Sequence, residues 1–215
     1  MKKGFTLLEL LIVIGILAIL STTLIIVINP AEMLKKARDS QRISDLNTLK
    51  TAIAMYLTDV SNPVLDGGTS TSSFTYDHSG TFAHSGFTFA YAITGLGFGL
   101  PTTCGGKSEN TAIASQAVNG DGWIPVNFAS TTGGSPISAI PIDPNPVSDK
   151  RYYIYIPNDT SKTFELLANL ESATYSSGGS NDAEGTDGGN ISTVYEVGTQ
   201  MIATTSTGCY TNTDQ

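Results

Sequence analysis

A single carboxylate, Glu9, lies near the start of a long apolar run. It is the first residue in the chain whose type and position indicate a chemical role. Every other side chain between residues 5 and 28 is uncharged. A charged side chain at membrane depth costs about 2.5–3.5 kcal/mol, so such residues normally have a partner and a function. We therefore expect Glu9 to be paired with a positive charge.

Three further carboxylates, Asp182, Glu184 and Asp187, occupy a short glycine-rich stretch. Hard oxygen ligands at alternating spacing in a bendable loop are what Ca²⁺ requires. The stretch is therefore a candidate calcium site, although the spacing of an EF-hand is missing and a solvated loop is the alternative. Residues 119–122 are a weaker candidate, typical of a turn. No other cofactor is expected.

The two cysteines, Cys104 and Cys209, are far apart in the sequence. In an oxidising environment outside the cytoplasm, a disulfide between them would close a loop of about a hundred residues. By loss of chain entropy in the unfolded state, such a disulfide stabilises the fold by roughly 4–5 kcal/mol. Two buried or unpaired thiols are the alternative. Neither cysteine lies in a C-x-x-C motif, so a redox or zinc role has little support.

Catalytic chemistry has little support elsewhere in the chain. The two histidines, His78 and His84, lie in a stretch rich in Ser and Gly, which favours a surface location. No G-x-S-x-G elbow, H-E-x-x-H helix or phosphate-binding loop occurs in the sequence. We predict that the protein is not an enzyme.

The element that positions Glu9 is a helix of membrane length. Residues 5–28 would extend about 36 Å as a helix, against a hydrocarbon core of about 30 Å. A secretory signal peptide is the alternative, but the run is longer than the usual apolar core and no A-x-A-like site closes it. A plain single-span anchor would leave Glu9 unexplained.

Residues 4–10 place Gly4, Phe5 and Glu9 in a fixed register before this run. The stretch resembles the processing site of type IV prepilins and type II secretion pseudopilins. The resemblance implies a leader at residues 1–4, cleavage after Gly4 by a prepilin peptidase, and N-methylation of Phe5. It also implies an inner-membrane assembly platform as partner, and a homo- or hetero-polymer in which Glu9 meets the N-terminus of a neighbouring subunit.

Charge and composition indicate an exported, acidic domain. Loss of Lys2 and Lys3 with the leader would leave nine basic against nineteen acidic side chains, a balance of −10. This balance argues against nucleic acid as a partner. Because basic residues also follow the span, the positive-inside rule alone does not decide the topology. The leader motif favours a cytoplasmic N-terminus in the inner membrane, with the C-terminal domain and the assembled fibre outside.

Residues 29–60 are predicted to continue the helix. Pro30 either kinks one long helix or begins a second helix at its favoured first position. Apolar residues then follow at spacings of three and four, which is typical of an amphipathic helix packed on a sheet. The stripe comprises Ile43, Leu46, Leu49, Ile53, Tyr56 and Val60. Solvent or a subunit interface is predicted for Lys35, Lys36, Arg38, Asp39, Arg42 and Asp45.

Residues 61–215 are predicted to form a β-rich extracytoplasmic domain with long loops. A short hairpin is expected around Phe74, Tyr76 and Phe82. Strand signals occur at 87–93, 123–128, 151–156 and 163–170, and the last two should form a hairpin. Residues 140–170 resemble the corresponding stretch of major pseudopilins, which bind calcium in an acidic loop after the sheet. The expected fold is α+β and pilin-like, with a long N-terminal helix on a small antiparallel sheet.

The function implied by these features is that of a structural fibre subunit. The fibre would be a type IV pilus or a type II secretion pseudopilus, and polymerisation through the N-terminal helix would be its activity. The alternative is a membrane-anchored minor pilin that acts as an adhesin or ligand-binding module through residues 61–135.

Overall fold

The chain folds into two helices followed by a small sheet, which confirms the predicted α+β class. A computed structural model describes residues 4–68, 73–76, 108–109, 115–145 and 153–201. For residues 25–28, 73–76 and 108–109 it describes the backbone alone.

The first helix, α1, comprises Leu7–Ile28. Its start is fixed by Thr6, whose extended backbone (φ −83°, ψ 148°) and side-chain cap are those of an N-cap residue. The helix ends at Asn29, which adopts the left-handed conformation with φ 42° and ψ 77°. Asparagine is one of the few residues that tolerate this conformation, so the helix ends where the apolar run ends.

The second helix, α2, comprises Pro30–Asp59, and Asn29 separates it from α1 by a single residue. Pro30 occupies the first turn, where its missing N–H would be unpaired in any case. Of the two alternatives for Pro30, the structure therefore has a second helix that begins there. At the other end, the N–H of Val60 donates to the carbonyl of Tyr56 at 3.1 Å.

The apolar stripe of α2 packs on the sheet as predicted. Leu46, Leu49 and Ile53 are completely buried, and Tyr56 is nearly so. Ile43 and Val60, at the two ends of the stripe, are partly buried against the same core. The 3.6-residue period of a helix brings these positions to one face, so the stripe fixes how α2 lies on the domain.

The sheet has five strands, which are β1 (Ser73–Tyr76), β2 (Ser108–Glu109), β3 (Ile154–Asn158), β4 (Thr163–Ala168) and β5 (Tyr195–Gly198). Their order in the sheet is β2-β1-β3-β4-β5. Its central hairpin, β3 with β4, runs in register from Ile154 opposite Leu167 to Asn158 opposite Thr163, and this confirms the predicted hairpin. Strand β1 pairs in parallel with β2, whereas the other neighbours are antiparallel. Neither β2 nor β5 was predicted.

One face of the sheet forms the core with α2. Phe164, Leu166 and Ala168 of β4 join this core, together with Tyr195 and Val197 of β5. Successive residues of a strand point to opposite faces, so the residues between them lie on the other face. That other face carries two buried acids, Glu165 and Glu196.

The segment 115–145 closes the core without forming a sheet strand, so the strand predicted at 123–128 is wrong. Trp123 is buried, and its ring N–H donates to the carbonyl of Pro141 at 2.9 Å. Its backbone N–H donates to Ser115 within the same segment. Gly122 packs so closely that a Cβ there would lie 2.2 Å from the carbonyl oxygen of Ala117. The segment is thus apolar because its side chains lie in the core, although its backbone is irregular and does not form a strand.

Several predictions concern parts of the chain outside the described residues. These are the strand at 87–93, Phe82 of the hairpin around β1, and both histidines. Cys104 and Cys209 also lie outside them, so the disulfide stays a prediction.

Candidate functional site

The N-terminal site is built on the first turn of α1. Glu9 turns back to its own N-cap residue, and its Oε2 accepts hydrogen bonds from the backbone N–H of Thr6 at 3.1 Å and from the Thr6 hydroxyl at 2.9 Å. In return, the backbone N–H of Glu9 donates to Thr6 Oγ1 at 3.2 Å. This is a capping box, which satisfies two of the free donors at a helix start.

Gly4 and Phe5 precede this cap in non-helical backbone. Phe5 is 80% exposed, and no atom lies within 4 Å of the position that a Cβ on Gly4 would take. The peptide bond between them is therefore free of helical hydrogen bonds and open to a protease. Gly4 and Phe5 thus lie just before the cap, and the residue that the structure joins to Glu9 is Thr6.

Thr6 is the site residue that sequence reasoning missed. Its signal was present, since Thr followed three residues later by Glu before an apolar run is the sequence signature of a capping box. The charge of Glu9 by itself does not reveal this cap. The structure adds that Glu9 already has a hydrogen-bonding partner within its own chain.

The surface of α1 is apolar on every side. The window Leu7–Leu24 has a mean hydropathy of 2.5, and none of it is buried in the folded chain. In the described part of the chain this is the one helix long and apolar enough to cross a membrane; a signal sequence would pass the same test of length and composition. A helix that is apolar all round requires an apolar surrounding, which the described part of the chain does not supply.

The charges of α2 were predicted to face solvent or a subunit interface, and for three of them this is wrong. Asp39 and Arg42 are completely buried, and Asp45 is 9% exposed. The Arg42 guanidinium donates to both oxygens of Asp143, at 2.7 and 2.9 Å. Such paired contacts fit the planar geometry of arginine and carboxylate. The charge run of α2 therefore contributes to the interior.

Two more carboxylates complete this buried network. Arg42 Nη1 donates to Asp39 Oδ1 and to Glu171 Oε1, each at 2.8 Å. Arg38 also donates to Glu171, through Nη2 at 2.8 Å and through Nε. Burial alone would lower the pKa of Arg42, but the hydrogen bond and charge of Asp143, followed by the hydrogen bonds to Glu171 and Asp39, raise it above its ordinary value.

Asp39 ties α2 to the chain that follows β4. Its carboxylate accepts the backbone N–H groups of Glu171, at 3.0 and 3.1 Å, and of Ser172, at 2.7 Å. A buried carboxylate is stable only when such donors satisfy it. Asp45, six residues further along α2, accepts a hydrogen bond from the hydroxyl of Tyr153 at 2.9 Å, and burial raises the pKa of this carboxyl group.

The three predicted calcium ligands each bind backbone amides. Asp182 accepts the N–H groups of Gly178 and Gly185, at 2.8 and 2.7 Å. These two hydrogen bonds, the Gly185 one first, hold the pKa of Asp182 below its ordinary value. The carboxylate therefore closes its own loop.

Glu184 and Asp187 connect the loop to the sheet. Glu184 is buried and accepts the N–H groups of Leu170 and Ser177, each at 2.9 Å. Asp187 accepts the N–H of Gly189 at 2.7 Å and also the N–H of Glu196. Burial raises the pKa of Glu184 to about 7 and raises that of Asp187.

Calcium binding at this loop stays a prediction, since the three carboxylates are hydrogen-bonded to backbone amides in this structure. Within the described residues, no group of three or more His, Cys, Asp or Glu side chains is placed to hold a metal. Calcium takes six to eight oxygens about one point, whereas Asp182, Glu184 and Asp187 bind six separate amides. The weaker candidate at 119–122 is a turn, in which Asn119 donates to Asp121 at 2.8 Å.

Two buried acids lie beneath this loop on the outer face of the sheet. Glu196 Oε2 accepts the N–H of Ile191 at 2.6 Å, and its carboxyl interacts with that of Glu165. Burial and then the neighbouring Glu165 carboxyl raise the pKa of Glu196 well above its ordinary value. Gly189 covers the site so closely that a Cβ there would lie 2.1 Å from Glu196 Oε2. The loop is thus packed directly on the Glu196 carboxyl group.

Comparison with known families finds one match, at the N-terminus. Residues 1–25 match the family model described as the prokaryotic N-terminal methylation motif, which is the prepilin-type signal of type IV pilins and pseudopilins. The matched residues include Gly4, Phe5, Thr6 and Glu9 and most of α1. No curated protein and no solved structure matches the chain.

Proposed function

We propose that this protein is a structural subunit of a type IV pilus-like or type II secretion pseudopilus fibre. The match of residues 1–25 to the methylation motif carries this proposal, because the motif marks a substrate of prepilin peptidase. The α+β fold, in which two successive helices lead into a small sheet, is consistent with a pilin-like subunit.

Processing would create the charge that Glu9 needs. Cleavage after Gly4 would leave the amine of Phe5 at the start of α1, one turn from the Glu9 carboxylate. In a lipid or helix-packed surrounding, the two charges would each be costly alone and stabilised when paired. Thr6 supports this role, since its hydrogen bonds satisfy Glu9 Oε2 before any neighbour arrives.

Polymerisation would be driven by α1. Its exposed apolar surface has no partner in the described part of the chain, so lipid would hold it before assembly and other copies or related subunits would hold it afterwards. The C-terminal domain would lie outside the inner membrane, with prepilin peptidase and an assembly platform as partners. We propose no catalytic activity, because this function uses packing and charge pairing alone.

Replacing Glu9 by Ala tests the function. The Glu9→Ala variant should still be cleaved after Gly4 and methylated on Phe5, but its incorporation into fibres should fall to background. Mass spectrometry of the N-terminus and electron microscopy of sheared fibres would measure the two steps. Glu32→Ala is the matched control, since it removes the same charge just beyond α1 and should assemble normally.

The outcome also separates the alternative function. A Glu9→Ala variant that assembles like the parent would overturn the proposed pairing. Loss of fibres with retained ligand binding at the cell surface would favour a membrane-anchored minor pilin that acts as an adhesin or binding module.

A further inference from the structure

Two large apolar side chains are exposed side by side at the start of α2. Met33 is 57% exposed and Leu34 is 62% exposed. Single exposed apolar residues are ordinary on protein surfaces. Neighbouring residues on a helix point about 100° apart, so this pair gives a broad apolar surface. The pair also lies close to the membrane-length helix that precedes it.

The distance to the membrane is fixed by the chain. The 22 residues of α1 extend about 33 Å, which matches a hydrocarbon core of about 30 Å. Leu34 lies four residues beyond Pro30, or about 6 Å along α2, and this is about the thickness of one headgroup layer.

The next two residues carry the charge that suits a lipid surface. Lys36 is exposed and Lys35 is half-buried, and among the described residues neither forms an ion pair within 4 Å. Arg38 is already engaged by Glu171. Glu32 is the one acid in the same turn of α2, so residues 32–36 keep a net positive charge. Basic groups at this depth favour contact with anionic lipid headgroups.

We propose that residues 33–36 bind an anionic phospholipid surface. Met33 and Leu34 would enter the boundary between headgroups and acyl chains, while Lys35 and Lys36 would contact lipid phosphates. The proposal rests on the membrane anchoring of the proposed function and is independent of fibre assembly. The rest of the domain is acidic, so the anionic lipid surface would repel it. Binding through residues 33–36 would therefore set the orientation of the subunit on the membrane before assembly.

Fluorescence quenching by brominated lipids tests this contact. The full chain with Leu34→Trp would be reconstituted at low protein density into vesicles of phosphatidylcholine alone, or of equal parts phosphatidylcholine and phosphatidylglycerol. Lipids brominated near the headgroup end of the acyl chain should remove most of the emission of the introduced tryptophan, and more in the anionic vesicles. The signal of the buried Trp123 is subtracted with the parent chain. Adding Lys35→Gln and Lys36→Gln should abolish the dependence on lipid charge.

Met55→Trp is the matched control. Met55 is similarly exposed, at 53%, but lies about 32 Å further along α2 than Leu34, so the emission of a tryptophan there should be unchanged. The proposal would be overturned if quenching in the Leu34→Trp chain were no stronger than in the Met55→Trp chain. It would also be overturned if quenching in the Leu34→Trp chain were equal in the two kinds of vesicle. Quenching that falls as protein density rises would mean that a neighbouring subunit covers this surface instead. Repeating the measurement with Glu9→Ala separates the two proposals, since lipid contact should persist when assembly is lost.

Discussion

The chain holds its carboxylates in two opposite ways. At the start of α1, Glu9 is exposed and bonded to Thr6, three residues away. In the domain, Arg42 gathers carboxylates that lie 3, 101 and 129 residues away, and all of them are buried. The first arrangement is local and leaves a helix surface for other molecules, whereas the second joins distant segments and leaves nothing for a partner.

This difference separates assembly from folding. Among the residues that the structure describes, the domain covers none of the apolar surface of α1, since no part of the window Leu7–Leu24 is buried. In contrast, Arg42 holds α2 against both the 115–145 segment, through Asp143, and the chain after β4, through Glu171. We therefore expect substitutions in the two regions to affect different measurements.

Replacing Arg42 by Met should have the largest effect on folding. The variant would leave Asp39, Asp143 and Glu171 buried with less positive charge, and breaking a buried ion pair in this way costs about 3–5 kcal/mol. Urea unfolding of the full chain in detergent, followed through the fluorescence of Trp123, would measure the loss. Cleavage after Gly4 should be unchanged as long as the chain reaches the membrane.

Lys50→Met is the control for Arg42. It removes the same charge from an exposed position of the same helix, where a substitution normally changes stability by at most about 0.5 kcal/mol. Equal midpoints for the two variants would mean that the network adds no stability. Arg42→Lys should fall between them, because a lysine cannot make the paired contacts with Asp143.

The same difference explains which parts of the fold the sequence predicts. The start of α1, the stripe of α2 and the β3–β4 hairpin depend on spacing within a few residues, so local pattern is sufficient. The burial of Asp39 and Arg42 depends on Asp143 and Glu171, which no local pattern connects to α2. A charge run with such distant partners looks like a solvated face.

Two other features were missed for related reasons. The residues 123–128 have the composition of a strand, but Trp123 bonds to Pro141 and Ser115 and not to the sheet. Strand β5 is only four residues long and carries Glu196 at a buried position. The Glu196 carboxyl accepts the N–H of Ile191 and interacts with the carboxyl of Glu165. These contacts form only when the chain folds, so the sequence alone does not reveal them.

Raising the pH should weaken the domain, and this would sharpen the contrast with α1. The pKa values of Glu184 and Glu196 lie above the ordinary 4.5 of a Glu side chain. The folded state therefore holds more protons than the unfolded state above pH 4.5. The contribution of these groups to the free energy of unfolding is fully present below pH 4.5. It is lost as the pH rises, up to about pH 7 for Glu184 and to a higher pH for Glu196. The slope is about 1.4 kcal/mol per pH unit for each proton.

Glu196→Gln tests the larger of these two contributions. The amide oxygen can still accept the N–H of Ile191, and the amide NH₂ can donate towards Glu165, so the packing is kept without the titration. Urea midpoints measured at pH 5, 7 and 9 should fall less steeply than in the parent chain. An unchanged pH dependence would place the titration elsewhere in the chain.

Thr6→Val should weaken the start of α1 and leave the domain unchanged. The variant keeps the shape of the side chain but loses the cap, which is worth about 1 kcal/mol. Amide hydrogen exchange in the first turn of α1 should become faster, while the urea midpoint reported by Trp123 stays constant. Thr22→Val is the control, because the Thr22 hydroxyl donates to Ala18 within the helix and caps no free N–H group. Equal acceleration in both variants would remove the special role of Thr6.

Calcium should have the smallest effect on stability. A calcium titration tests whether the carboxylates of the acidic loop, like those around Arg42, are fully used by contacts within the folded chain. To bind the ion, Asp182, Glu184 and Asp187 would have to give up amide hydrogen bonds that they already make. We therefore expect millimolar calcium to leave the melting temperature of chelator-treated protein unchanged. A saturable rise would mean that the loop opens to a cation as the sequence predicts, and Asp187→Asn should then remove the rise. With no rise in the parent, the same variant should lower the melting temperature equally with and without calcium, because the introduced asparagine would keep only one carbonyl acceptor for the amides of Gly189 and Glu196.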